Sequence, residues 1–412
     1  MNGRQRVLAA IQHQEPDQVP VDIGSTPSSG ISATAHYNLM QYLGQGDTPT
    51  RVYDVVQQVA QPDDAFLDRF GIDAVDIGRA FDARDEDWYD ITLPTGLPVQ
   101  FPTWFHAVPQ EDGAWDAFAP DGTRIATMPL GASFFDQTCF PYVDGYPDNF
   151  DNLSQVMPLV HWSGLAHSPW DHAGEPDFWE QLRTRALDLR QNSDRALMIV
   201  VGCNLFEWGT FLRRLDNFLV DVVMDPVNVE RLLDALLERH MATLEKVCQA
   251  VGDVADIVRF GDDLGTDQGP FMSPKIYRAL FKPRQKIMTD YVHSHSKAHT
   301  FLHSCGSIYK LLPDLIEAGF EIINPVQTSA RDMDPARLKQ EFGRDLTFWG
   351  GGCDTRHILN HGTPANVRDH VCRNIEILSP GGGFVFNTVH NILPDVPPQN
   401  FMAMFEAIDQ YR

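Results

Sequence analysis

Short apolar runs recur along this chain, and most are followed by a stretch whose apolar residues fall three and four positions apart. Eight runs read as strands: Val19–Ile23, Ala74–Ile77, Leu197–Val201, Ile257–Phe260, Thr300–His303, Glu321–Asn324, Thr347–Trp349 and Phe384–Phe386. Most are nearly continuous in Val, Ile, Leu and Phe, the pattern of strands buried on both faces of a parallel sheet. Helical spacing lies between them, over Val227–Val251, Ile308–Ala318, Pro335–Phe342 and Ala365–Leu378. Strand–helix alternation predicts an α/β fold. Eight repeats fit a closed (β/α)8 TIM barrel better than a doubly wound sheet. A single barrel domain over residues 1–412 is therefore expected.

The rhythm breaks over about residues 84–165, where Pro94-Thr95-Gly96 and Pro120-Asp121-Gly122 separate alternating segments. These turn signals predict one or two β-hairpins inserted after the second strand, followed by an aromatic-rich loop over Phe134–Trp162. Three roles remain open for it: a lid or docking surface for a partner, the contact of a homodimer, or a structural flap.

Charge narrows the partners. With 56 acidic against 32 basic side chains and a formal net charge of −24, the chain's field repels phosphate backbones and anionic lipid, so neither nucleic acid nor a membrane surface is expected as a partner. No apolar stretch approaches a membrane span, and the first twenty residues read as an amphipathic helix rather than a signal peptide. The six cysteines are sparse, which predicts reduced thiols in a cytoplasmic protein rather than a disulfide framework.

The strongest chemical signal is Phe301-Leu302-His303-Ser304-Cys305-Gly306. In an extended chain residues two apart project to the same side, so His303 and Cys305 face one point at the strand's C-terminal end, where barrel enzymes place their active sites. A thiolate and an imidazole suit Zn²⁺. Cys353 follows the strand Thr347–Trp349, and His390 follows Phe384–Phe386, both at the same rim. The expected metal ligands are His303, Cys305 and Cys353. His390, Asp262 and Glu207 are the expected catalytic acid–base groups, and Asp263, Asn324 and Gln327, also at strand ends, the expected contacts of a small-molecule substrate. His293, His295 and His299 precede the fifth strand and are expected at the opposite barrel face. Gly381-Gly382-Gly383 reads as a tight turn, and no phosphate-loop or dinucleotide fingerprint is present.

The segments LHSCGSIYKLLPDLIEAGFEIINPVQ, LKQEFGRDLTFWGGGCDT and SPGGGFVFNTVHNILPDVPPQNFMAMFEA strongly resemble the C-terminal half of the uroporphyrinogen decarboxylase family. The likeness extends through RFGDDLGTDQGPFMSPKIYRALFKP and more weakly to the N-terminus, and it implies a (β/α)8 barrel. The family's decarboxylases carry an N-terminal arginine-containing segment and an aspartate after the second strand. Here DIGSTPSSGISATAHY has no arginine, and Ala80 stands in the aspartate's place. The resemblance therefore favours the zinc-dependent corrinoid methyltransferases, which move a methyl group between a corrinoid protein and a thiol. Their metal ligands resemble His303 and Cys305. Their third ligand is a cysteine in a turn before the last strand, where this chain has Gly382, so Cys353 or His390 would have to replace it. The implied function is methyl transfer to a thiol or folate-like acceptor, with the corrinoid carried on a separate protein, because the chain lacks the Asp-x-His-x-x-Gly pattern of corrinoid-binding modules. The alternative is a lyase that decarboxylates a smaller carboxylated substrate without corrinoid.

Overall fold

The computed structural model describes residues 1–412. Seven strands form one parallel sheet: β1 (Ala74–Asp76), β2 (Ala196–Gly202), β3 (Ile257–Gly261), β4 (His299–His303), β5 (Ile322–Asn324), β6 (Thr347–Trp349) and β7 (Phe384–Val385). Their order across the sheet is their order along the chain, as expected when each strand is followed by a crossover that returns beside it. The sheet curls. Its two edges are bridged by the segment Pro20–Asp22, which accepts from Asp73 N through the Val21 carbonyl and exchanges bonds with Phe386.

That segment differs from the strand expected over Val19–Ile23. It makes an isolated bridge between Val21 and Phe386 rather than a ladder. Pro20 has no N–H to give, and the Asp22 carboxylate turns the chain by accepting from Ser25 N at 3.0 Å.

The period of two along the strands sorts the side chains into two layers. Val75, Leu197, Ile199, Val258, Phe260, Leu302, Ile323, Phe348 and Phe384 join the large core between sheet and helices. Ala74, Ala196, Met198, Ile257, Phe301, Ile322, Trp349 and Val385 point to the inside of the curl, where they pack on Val7, Ala10 and Ile11. Those three belong to the helix α1 (Gly3–Ile11), which plugs the N-terminal end of the sheet. Arg6 anchors the plug to Asp73 at 2.7 Å, and Arg4 to Asp256 at 2.8 Å. With that end sealed, the inside of the sheet can open only at the C-terminal ends of the strands.

Between β1 and β2, Trp88–Thr92 pairs antiparallel with Pro98–Pro102, and Val108–Pro109, Trp115–Phe118, Arg124–Met128 and Asp136–Gln137 make a second antiparallel sheet. Val99, Phe101, Trp115, Ile125 and Phe135 give this region a core of its own. No helix of the protein is long and apolar enough to cross a membrane.

Candidate active site and metal centre

The inward parity of the strands explains which polar groups meet. On β3 the residues Ile257, Arg259 and Gly261 alternate with Val258 and Phe260, so Arg259 shares the inward side with Ile257. On β4, His303 follows Phe301 to the inside, and on β5, Asn324 follows Ile322. Registers of Gly261 opposite His303 and of His303 opposite Asn324 bring these positions to one level at the rim.

His303, Cys305 and His390 come together there: their ligand atoms lie within 4.8 Å of one another. Nε2 of His303 is 3.5 Å from Sγ of Cys305, and the two imidazoles meet edge to face at 5.5 Å. Asn324 decides which nitrogen of His303 faces the group. Its amide nitrogen donates to the Trp349 carbonyl at 2.7 Å, so its oxygen is the acceptor left for His303 Nδ1, 2.6 Å away. The proton therefore sits on Nδ1, and the lone pair of Nε2 is presented to Cys305, the arrangement in which an outer partner orients a metal-ligating histidine. Burial, reinforced by Arg259 and His390, pushes the His303 imidazole well below its usual range, which keeps it neutral and able to ligate. His390 is oriented in the same manner, its Nδ1 lying 3.0 Å from Oδ1 of Asn391. Its backbone sits at φ 69°, an uncommon region for a non-glycine residue. The Thr388 hydroxyl holds it there by donating to the His390 carbonyl at 2.6 Å.

The turn carrying Cys305 is built as tightly. Cys305 N donates to Asp263 Oδ1 at 2.8 Å, Gly306 N to Gln327 Oε1 at 2.9 Å, and Leu264 N to the Ser304 hydroxyl at 3.0 Å. Gly306 has φ 82°, and a β-carbon on it would come within 2.4 Å of the Gly265 backbone. Burial, with the carboxylates of Asp263 and Glu207 next, raises the Cys305 thiol well above its usual range. It stays a thiol unless a cation joins it. Two imidazole nitrogens and one sulfur match the three-protein-ligand donor set of catalytic zinc.

Beside this group lies a cavity of about 600 Å³. His303, His390, Asp263, Glu207, Arg259 and Asn204 line its polar side, and Trp162, Trp170, Trp208, Phe211 and Phe134 its apolar side. Phe134, Trp162 and Trp170 come from the long connection between β1 and β2, which therefore roofs the cavity. The Glu207 carboxyl accepts from the Asn204 amide. Burial, with the charges of Asp263 and Asp262 adding to it, pushes its pKa up to about 8, so it is an uncharged acid at neutral pH.

Several expected roles change in the folded chain. Asp262 faces away from the cavity, because it shares the outward parity of Val258 and Phe260. Its carboxylate receives the backbone N–H groups of Leu205, Phe206 and Glu207 at 3.2, 3.1 and 2.9 Å. It thus holds the first turn of the helix Phe206–Arg213, and burial raises its pKa to about 7. Asp263, on the inward parity, is the carboxylate beside His303, with Oδ1 3.7 Å from Nε2. Asn324, fully buried, supports His303 rather than lining the cavity. Gln327 braces the Cys305 turn and donates to Asp267 at 2.7 Å, away from the cavity. Cys353 is also fully buried and stands apart from the histidine–cysteine group. It pairs with Thr388 as an isolated bridge and is packed into the core. His390, expected as an acid–base group or as the alternative to Cys353 for a third ligand, is the residue that lies with His303 and Cys305.

Gly382 lies at the other end of β7. Its backbone is at φ 79°, and a β-carbon there would meet the Gln14 backbone at 2.6 Å, so a cysteine at this position would sit beyond the plugged end, remote from His303. His293 and His299 are likewise at the opposite end from the group, bound to Glu321 at 3.2 and 2.8 Å.

Sequence reasoning passed over Arg259 and Asn204, whereas the aromatic-rich loop over Phe134–Trp162 supplies Phe134 and Trp162 to the cavity lining. For Arg259 a signal existed: a charge inside the otherwise apolar run Ile257-Val258-Arg259-Phe260 is costly unless it faces something polar.

Residues 207–411 match the uroporphyrinogen decarboxylase (URO-D) family. Over 189 residues the chain is 25% identical to the methylcobamide:CoM methyltransferase MtaA of Methanosarcina barkeri strain Fusaro, covering 44% of this chain and 49% of that protein. A uroporphyrinogen decarboxylase of Pseudoalteromonas translucida is 39% identical over 51 residues, covering 12% of this chain and 14% of the relative. The matches to the Methanosarcina relatives thus span about half of their length. A solved methyltransferase from Methanosarcina mazei superposes with a TM-score of 0.59 at 17% identity, covering 100% of this chain and 99% of the other. That likeness is one of fold.

Proposed function

We propose that this chain, whose residues 207–411 match the uroporphyrinogen decarboxylase (URO-D) family and which is similar to methylcobamide:CoM methyltransferases, belongs near the corrinoid methyltransferase-like branch of that superfamily and transfers a methyl group from a corrinoid on a partner protein to a thiol, or to a folate-like acceptor. The observation that carries the reading is the convergence of His303, Cys305 and His390 on one point beside a cavity roofed by aromatic rings. These three residues would hold zinc, and the bound ion would supply the positive charge that keeps a substrate thiol ionised at neutral pH.

The remaining work falls to the chain's own groups. Asn324 and Asn391 fix the two imidazoles with Nε2 forward. Asp263, held by Cys305 N through Oδ1, keeps its other oxygen free to take the proton released by the acceptor thiol. A methyl-corrinoid delivered by a partner would supply the electrophilic methyl group, the acceptor sulfur would take it, and the corrinoid would leave with the bonding electron pair. Trp162, Trp170, Trp208 and Phe211 exclude water from the path.

The test is elemental analysis of the purified protein together with the loss of the methyl–cobalt absorbance on adding a thiol. About one zinc per chain, lost in Cys305→Ser along with turnover, supports the reading. A protein that takes up no zinc yet releases CO₂ from a carboxylated substrate would overturn it in favour of a metal-free lyase, with Glu207 as the acid.

A further inference from the structure

The cavity holds one cation whose bonding is unmet. No side-chain hydrogen bond joins the guanidinium of Arg259 to any protein atom, and no carboxylate oxygen lies within ion-pair distance of it. Its Nε is buried without a partner, while the side chain lines the cavity wall. Other arginines set in the fold are satisfied: Arg6 binds Asp17 and Asp73, Arg190 binds Asp256, and Arg213 binds Asp221 and two carbonyls. A guanidinium offers five donors in a planar fork, and removing it from water without acceptors is expensive. A fold that keeps one in this condition, on an inward strand position of the cavity wall, leaves those donors for a guest.

The neighbouring charges do not supply the missing acceptor. Glu207 and Asp263 both line the cavity, but neither reaches Arg259. Both act on the guanidinium only through their charge, and burial outweighs them in lowering its pKa, so its hydrogen-bond donors stay without an acceptor. The position of Arg259 one strand from His303, at neighbouring levels of the sheet, sets the distance scale: a guest bound to Arg259 has its other end at the histidine–cysteine group.

We infer that the small molecule bound in this cavity carries an oxyanion group, a carboxylate, sulfonate or phosphate, which docks on the fork of Arg259 while the reacting atom lies at His303, Cys305 and His390. The inference names the substrate class of the site proposed above and rests on that reading for what happens at the far end. Bidentate pairing with a guanidinium is shared by these oxyanions and unavailable to a neutral isostere.

Calorimetric titration of the full-length protein tests it with paired probes: 3-mercaptopropionate against 3-mercaptopropionamide, and 3-phenylpropionate against 3-phenylpropionamide. The second pair has no thiol and reads the arginine alone. The carboxylates are expected to bind at least tenfold tighter than the amides. Arg259→Gln should abolish that preference, and Arg259→Lys should keep only part of it, since an ammonium lacks the planar fork. Zinc content and thermal midpoint, measured on the same samples, separate lost recognition from lost folding. Equal binding of acid and amide, no binding of either carboxylate, or a preference unchanged in Arg259→Gln would overturn the inference. A wild-type protein that prefers 3-phenylpropionate through Arg259 but takes up no zinc would leave this assignment standing while the methyl-transfer reading falls.

Discussion

The Nδ1–H of His303 donates to Oδ1 of Asn324 at 2.6 Å, and the same amide donates to the Trp349 carbonyl at 2.7 Å, so one buried side chain ties three strands together and fixes the face that the imidazole presents. Asn324→Leu removes the acceptor, frees the ring to adopt either tautomer and leaves the Trp349 carbonyl unpaired. Zinc affinity, measured by competition with a chromogenic chelator, is expected to fall about 10–100-fold, the usual cost of losing such an outer partner. An unchanged affinity would mean that the imidazole is held by other contacts.

The choice between the two candidates for the third ligand is directly measurable. His390→Ala is expected to lower the zinc content of the purified protein sharply. Cys353→Ser should leave it at the wild-type level, because Cys353 is packed in the core away from His303 and Cys305. The serine hydroxyl buried in that apolar setting should cost about 1–3 kcal/mol of stability, visible as a lower denaturation midpoint without loss of metal. The reverse pattern of metal retention would return Cys353 to the centre.

Glu207 predicts a pH signature. Its folded pKa, about 8, is raised above the ordinary glutamate value, so between about pH 4.5 and pH 8 the native state holds a proton that the unfolded chain has released. Its contribution is fully present below the unfolded value and is lost as pH rises through the folded one. Glu207→Gln keeps the shape of the carboxyl group without its titration. The stability of that variant relative to wild type, from denaturant midpoints at pH 5 and pH 9, is expected to improve at the higher pH. A difference independent of pH would remove Glu207 from the set of neutral acids.

Asp262 serves the fold rather than the cavity. Asp262→Ala strips three backbone N–H groups at the start of the helix Phe206–Arg213 of their acceptor, and should destabilise the protein by on the order of 2 kcal/mol. Asp263→Ala, by contrast, should chiefly reduce turnover with thiol acceptors, because the carboxylate beside His303 is the one lost. Comparing denaturation midpoints with methyl–cobalt loss for the two variants checks the division. Equal effects on both readouts would mean that the adjacent carboxylates act as one unit.

Gly382→Cys would place a thiol at the position that the family resemblance suggested for a third ligand. A β-carbon there collides with the Gln14 backbone and lies beyond the plugged end of the sheet. The variant is expected to be less stable than wild type, with a denaturation midpoint below it and no gain in zinc affinity by chelator competition. Tighter zinc binding would show that the turn reaches the site.

The alternation of apolar runs and helical spacing determined seven of the parallel strands to within a residue or two at most ends, because burial on both faces forces a nearly continuous apolar run. The eighth run, Val19–Ile23, reads like the others, but Pro20 and the Asp22 turn limit it to a bridge. Proline and aspartate were visible in the chain, while the pairing they prevent depends on where the sheet edges lie. His303 and Cys305 were legible for a local reason: two residues two apart at one strand end need no knowledge of the rest of the fold to face one point.

What the tertiary structure alone decided is parity and partnership. A run that is apolar throughout does not reveal which of its alternate positions faces inward, so Asp262 and Asp263 were indistinguishable until β3 was registered against β4. That register sends Asp262 to the helix and Asp263 to the cavity. The same inward parity makes Asn324 a brace for His303 and leaves Arg259 open to the cavity. Cys353 and His390 follow different strands, and the glycine-rich turn after Trp349 takes Cys353 into the core, while the left-handed backbone of His390 turns its ring toward His303. These outcomes depend on contacts between residues far apart in the chain, and spacing along a single strand carries no record of them.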